Sequence, residues 1–261
     1  MSLMDLPSRH FHQPASRSTD RLLSVDDLTV NLTGQSVLAG VSLDVAAGEI
    51  VGLLGRDGAG QTACFQAIAG LIRTTSGRVW LNGEDVTNWP ADRRARHGLA
   101  YLPEGVSIFR GLTCEENIRM ALESPAASDV DAHIVLEKLL EDFDLTLVRH
   151  QSSISLSGGE RRRCEVARSM ALKPSVMMLD EPFKGLDPTS ITSTARMIAS
   201  LGESGVGVLV SDYDLPDLLK LLDRVYLRHQ GQLIFSGSVE MLLSNSDVRR
   251  VYLGETEGHV F

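Results

Sequence analysis

Apolar positions change their period several times along this chain, and each change marks an element. After residue 21, "LLSVDDLTV" and "VSLDV" carry apolar side chains at alternate positions, the pattern of strands with one buried face. "EIVGLLG" is apolar for a whole strand length, ends in glycine and enters the helical "QTACFQAIAGLI". "GRVWLNGEDV" predicts a pair of strands around Asn82-Gly83, because both residues tolerate the positive φ of a two-residue hairpin turn. The middle third turns helical, with apolar residues three and four apart in "EENIRMALE" and "VDAHIVLEKLLEDFDL". From Ser175 onward strand and helix alternate through "VMMLDE", "ITSTARMIASLGE", "VGVLVSD", "DLPDLLKLL", "RVYLR" and "LIFSG". Such alternation predicts an α/β sheet with helices on its faces, and the helical third reads as an insert between its halves.

Residues 1–21 mix Pro, Ser, Arg and His without period and are expected to be a mobile tail lacking the apolar core of a secretory signal. Residues 22–254 then form one domain with a helical subdomain at about 105–170, and residues 255–261 a C-terminal tail. The chain has 261 residues, 43% of them hydrophobic, enough for a well-buried core. A formal net charge of −9 argues against a nucleic-acid partner, which needs a concentrated cationic face. The longest apolar runs are strand-sized, far short of the ~20 residues that cross a bilayer. Cys64, Cys114 and Cys164 are widely spaced with no C-x-x-C pair, so reduced thiols are expected rather than zinc or disulfides.

Candidate chemistry starts where the apolar strand meets the helix. Gly55, Arg56, Asp57, Gly58, Ala59 and Gly60 have the G-x-x-x-x-G spacing of a phosphate-binding loop, followed by Gln61, Thr62 and Ala63. The glycines let successive N–H groups turn inward, the helix start adds its positive end, and the Thr62 hydroxyl suits magnesium. On spacing alone a simple turn remains open; the flanking strand and helix favour the phosphate loop. "VMMLDEP" delivers Asp180 and Glu181 at the carboxyl end of a second apolar strand, where ligands bind in open α/β sheets. One carboxylate there suits magnesium and the other a water, although a solvated acidic turn would also read this way.

A third motif narrows the choice. "SLSGGERRRCEVARSM" resembles the L-S-G-G-[QE] signature of ATP-binding-cassette (ABC) ATPases, and the order of phosphate loop, signature, "MMLDEP" and "GLDP" is that of the family. Within it, "LSGGERRRCEVAR", "LDEPFKGLDP" and "VRRVYLGE" are most similar to the ATPases of lipopolysaccharide-export transporters. "YLPEGVSIFRGLTCEENI" is similar to those of branched-chain amino-acid importers. The resemblance implies a P-loop, RecA-like core with an antiparallel β-subdomain and a helical signature subdomain. It implies ATP and Mg2+ as ligands and transmembrane transporter subunits as partners. It also implies a peripheral position on the cytoplasmic face of the inner membrane. Two chains would close head to tail, with Ser157, Gly158, Gly159 and Glu160 of one meeting the nucleotide on the phosphate loop of the other. Glu181 would be the catalytic base, Asp187 would communicate between sites, and Thr62, Asp180 and Glu104 would serve the metal.

Several positions depart from the family pattern. Gln61 stands where a lysine meets the phosphates, Leu32 where an aromatic stacks on adenine, Tyr213 where a histidine follows "VLVSD", and Glu104 where many members have glutamine. Asp57 puts a carboxylate into the loop itself. An amide in place of lysine loses a charge-assisted contact worth about 1.5–3 kcal/mol. These changes fall on one side of the composite site, whereas the signature, Asp180, Glu181 and Asp187 are kept. The expectation is a subunit with an impaired site of its own that lends its signature to a different, complete ATPase. Two poor sites in a homodimer, a non-catalytic nucleotide-sensing or scaffolding subunit, and an importer ATPase remain as alternatives.

Overall fold

The computed structural model describes residues 21–32, 34–55, 60–123, 132–212, 215–229 and 232–245. Two sheets organise them. The first is antiparallel, in the order β2-β1-β4-β5, from β1 (Arg21–Leu32), β2 (Gln35–Ala46), β4 (Ser76–Leu81) and β5 (Glu84–Asp85). The second runs β10-β9-β3-β8-β7-β6, from β3 (Ile50–Gly55), β6 (Leu99–Leu102), β7 (Val176–Asp180), β8 (Gly207–Ser211), β9 (Arg224–His229) and β10 (Gln232–Gly237). Its pairings are parallel from β6 through to β9, and β10 adds an antiparallel edge.

The continuous apolar runs are explained by burial on both faces, since every residue of β3, β7 and β8 is buried. Alternate side chains go to opposite cores. Val51, Leu53, Val176, Met178 and Leu209 join the antiparallel sheet and helix α1 (Gln61–Ala69); Leu54, Met177, Leu179, Val208 and Val210 join the helices of the other face. Those helices include α3 (Cys114–Leu122), α4 (Ala132–Asp142), α5 (Gly158–Met170) and α6 (Pro188–Glu203). Shorter helices among the described residues are α2 (Ala91–Arg96), α7 (Leu215–Leu219) and α8 (Val239–Ser244). The hairpin forms at Asn82-Gly83, with φ of 49° and 82° and Leu81 opposite Glu84.

Polar ties hold these layers in register. Arg224 of β9 donates to Glu49 and Asp44 at 2.8 Å each, and the Tyr226 hydroxyl donates to Asp44 at 3.1 Å, joining the parallel sheet to β2. Arg94 of α2 is buried and donates to the carbonyls of Ala67 and Ile68, satisfying the C-terminal end of α1. Loop residues after β6 are fixed to α5, where Glu165 accepts the Ser107 N–H at 2.6 Å and Arg168 donates to the Ser107 carbonyl at 2.9 Å.

Candidate nucleotide site

The strand–glycine–helix unit sits at the middle of the parallel sheet. β3 ends at Gly55, and α1 starts after Gly60, whose φ of 81° places it in the left-handed region. A Cβ on Gly60 would lie 2.9 Å from the Val37 carbonyl oxygen, so both backbone angle and packing require glycine there. No side chain caps the start of α1. Arg56, Asp57, Gly58 and Ala59 lie outside the described residues.

Gly55, Gly60, Gln61, Thr62 and Ala63 line a cavity of about 370 Å³ together with Glu181 from the end of β7. Sequence reasoning missed its other walls, Val37, Gln66, Ser211 and Asp212, which come from β2, α1 and the end of β8. The Gln61 amide donates to the Gly55 carbonyl at 2.8 Å, so this side chain folds back over the end of β3.

The acidic strand end is built tightly. Asp180 is fully buried and accepts hydrogen bonds from Ser211 Oγ at 2.6 Å and from the Tyr101 hydroxyl at 3.2 Å. Burial, and then the charge of Asp180, push the Tyr101 phenol well above its usual range, so it stays a donor. Glu181 adopts a φ of 46°, and its N–H donates to the Ser211 carbonyl at 2.8 Å. Lys184 Nζ lies 2.7 Å from Glu181 Oε2 and 2.7 Å from Glu104 Oε1, joining the two carboxylates. Hydrogen bonds to Glu104 and then Glu181 hold this ammonium above the usual lysine range. Glu104 is therefore beside Glu181, although it does not line the cavity. Leu32, at the exposed end of β1, is also outside the cavity wall, and Tyr213 lies outside the described residues.

The signature residues form a separate unit. Ser157 caps α5 in a reciprocal box: its hydroxyl accepts from the Glu160 N–H, and Glu160 Oε2 accepts from the Ser157 N–H at 2.8 Å. The Ser157 hydroxyl, followed by its N–H, holds the Glu160 carboxyl below the usual carboxylate range. A Cβ on Gly158 would meet Leu186 at 3.0 Å and one on Gly159 the Ser190 hydroxyl at 2.7 Å, so α5 starts hard against α6. Asp187 caps α6, accepting from the Thr189 and Ser190 N–H groups at 3.0 and 3.1 Å. Ser190 thus links Gly159 to Asp187.

The donor set fits a polyphosphate: an α1 start without a side-chain cap and a Thr62 hydroxyl face an acidic strand end. Among the described residues no group of three or more His, Cys, Asp or Glu side chains converges on a metal position. Magnesium carried on a nucleotide uses one or two carboxylates, phosphate oxygens and water, so it needs no such cage.

A central parallel strand feeding a glycine-led helix, with an acidic strand end across the cavity, defines a P-loop type of nucleotide-binding domain. Residues 38–184 match the family described as ABC transporter, and the chain belongs to that family. It is 45% identical to a probable ABC transporter ATP-binding protein of Azorhizobium caulinodans over 94% of this chain and 86% of that one. It is 39% identical to the lipopolysaccharide export system ATP-binding protein LptB of Escherichia coli K12, over 89% of this chain and 97% of LptB. The crystal structure of an ABC transporter cassette in its ADP conformation superposes with a TM-score of 0.78 at 23% identity, covering 90% of this chain and 99% of that one. The fold is that of an ABC ATPase, and the chain is an ATP-binding subunit of an ABC transporter. Among the described residues no helix is long and apolar enough to cross a membrane.

Proposed function

We propose that this chain powers lipopolysaccharide export as one half of a cassette pair, binding nucleotide at its own cavity with little turnover and completing a partner's site with its signature. The cargo rests on similarity to LptB relatives, which extends over about nine-tenths of this chain and 97% of theirs. The observation that carries the division of labour is the Gln61 amide folded onto the Gly55 carbonyl, while the signature and the Asp187 cap are intact. An amide in that position offers no charge to a transferring phosphoryl group, a loss that can cost about 10²–10³ in rate. Residues 55–63 would cradle the phosphates, the Thr62 hydroxyl would bind Mg2+ with buried Asp180 and the Lys184-paired Glu104 acting on it from behind the cavity wall, and Glu181 would orient the water. Tyr213 retains only a hydroxyl donor where a histidine could change charge, and Leu32 provides no stacking face for adenine. Ser157, Gly158, Gly159 and Glu160 line no part of this chain's own cavity, in keeping with a role toward a second chain. Transmembrane subunits would carry the cargo, with the cassettes peripheral on the cytoplasmic face of the inner membrane.

Calorimetric titration of the isolated chain with Mg-ATP tests the account of the loop. A dissociation constant of about 10⁻⁴ M or weaker is expected without the lysine and the stacking aromatic. Nanomolar affinity would overturn it.

A further inference from the structure

The turn that follows β7 carries a cation back to the acidic strand end. Lys184 stands three residues after Glu181, and its N–H donates to the Glu181 carbonyl at 3.2 Å. The turn is anchored at its middle, where Phe183 is buried and its N–H donates to Asp212 Oδ2 at 3.1 Å. Lys184 is thereby folded over Glu181, with Nζ 2.7 Å from Oε2. That oxygen is shut off from solvent, so the ammonium, and not bulk water, is what meets it. The same Nζ is 2.7 Å from Glu104 Oε1, and the neighbouring Pro103 carbonyl accepts from buried Arg162 at 3.3 Å. The cation is therefore held from two anchored segments, the turn after β7 and the loop after β6. The Glu181 backbone is equally fixed, because its N–H is committed to the Ser211 carbonyl.

We propose that Lys184 restrains the hydrolytic carboxylate of this chain's own site, holding Glu181 Oε2 in an ion pair shared with Glu104 and so withholding it from a water beside the nucleotide. The inference rests on the nucleotide-hydrolysis reading above. A carboxylate that orients or deprotonates a water must present an oxygen within hydrogen-bond reach of it. Here one oxygen is taken by the ammonium, and the direction of the other follows from the same contact. Lys184 acts on the water only through Glu181, which makes it a positioning residue. Its restraint is separate from the change at Gln61. The amide at 61 limits what stabilises the transferring phosphoryl group, whereas the ammonium limits what activates its attacker. An ion pair with Lys184 43% and Glu104 42% exposed adds little to folding, so its removal should leave the fold intact.

The test is made in the full chain carrying Gln61→Lys and Tyr213→His, whose turnover is the baseline, with folding checked by circular dichroism. Adding Lys184→Met should raise kcat for ATP hydrolysis at least about threefold and leave KM within about twofold, because the restraint acts on the water and not on nucleotide binding. Lys184→Arg keeps the cation and should stay at the baseline. Glu104→Gln leaves the ammonium to Glu181 alone and should give no gain. A folded Lys184→Met with kcat at or below the baseline overturns the proposal, and so does a gain that Lys184→Arg reproduces in full. A second measurement needs no turnover: the rate at which acetic anhydride labels Lys184 in the otherwise unaltered chain is followed by mass spectrometry. Glu104 and then Glu181 hold this ammonium above the usual lysine range, so Glu181→Gln should speed its labelling at least about twofold. An unchanged rate overturns the pairing and the proposal with it. A Gln61→Lys, Tyr213→His chain without turnover counts against the hydrolysis reading, while the labelling still decides whether Lys184 holds Glu181.

Discussion

The starts of α1 and α5 are both expected to face phosphate, yet they are built in opposite ways. At α5 the chain satisfies itself: Ser157 and Glu160 exchange hydrogen bonds across the first turn, and the glycines between them press against α6. At α1 no side chain caps the helix; Gly60 enters in a left-handed conformation and Gln61 turns away to the Gly55 carbonyl. The opposite end of α1 is closed by Arg94, whose charge complements the C-terminal end of the helix dipole. One helix start is thus a finished surface that needs no ligand to hold its shape. The other is left open. A finished surface can be presented to another molecule, whereas an open one favours an anion of its own.

The largest effect should come from breaking the finished surface. In a dimer reconstituted with a complete partner cassette and membrane subunits, Ser157→Arg should lower steady-state phosphate release by at least about a hundredfold, because the new side chain blocks phosphate approach. Glu181→Gln in this chain should change the same rate less than about twofold, since it belongs to the cavity lacking lysine. Equal losses would mean that both sites work.

Restoring the open side is the next measurement. Gln61→Lys with Tyr213→His should raise ATP hydrolysis by the isolated chain at least about tenfold, since the acidic strand end is already assembled. No gain in a folded protein would place the defect elsewhere. A smaller effect separates the two helix starts by pH. The folded-state pKa of Glu160 is depressed, so its contribution is present above the ordinary carboxylate pKa and is lost as pH falls through the depressed value. Protection of the amides at residues 157–161, taken against the intrinsic exchange rate at each pH, should therefore fall as the pH drops below the ordinary carboxylate range, with no matching inflection at the start of α1. Glu160→Gln should flatten that profile; an unchanged profile would show that the capping box does not govern fraying.

Much of this arrangement was legible before any coordinates. The switch from a continuous apolar strand to a helical period located β3 and α1, and Asn82-Gly83 located a turn, because both features are local. The signature was legible as a motif, and its capping box follows from serine and glutamate three residues apart. What escaped was long-range pairing. Lys184 looks like a surface residue of "FKGLDP" until the fold brings it between Glu104 and Glu181. Arg228 reads as the polar end of the strand "RVYLR", since only the β9 pairing with β3 sets it beneath Gly60. Serine and aspartate at the end of β8 were in view, but their place on the cavity wall depends on strand order.

The left-handed backbone at Glu181 carries a lesson about descent. A glutamate held there gives up about 1 kcal/mol relative to a glycine, and asparagine also takes this conformation readily. A lineage with no use for a carboxylate at 181 would thus have a downhill route open to it in a few base changes, gaining stability as it lost the acid. This sequence has not taken that route. A strained acid is a group that random substitution tends to erase once nothing selects for it. A carboxylate kept at this strained position beside Gln61 is what we expect of a cassette with a use for it, and not of a relic in decay.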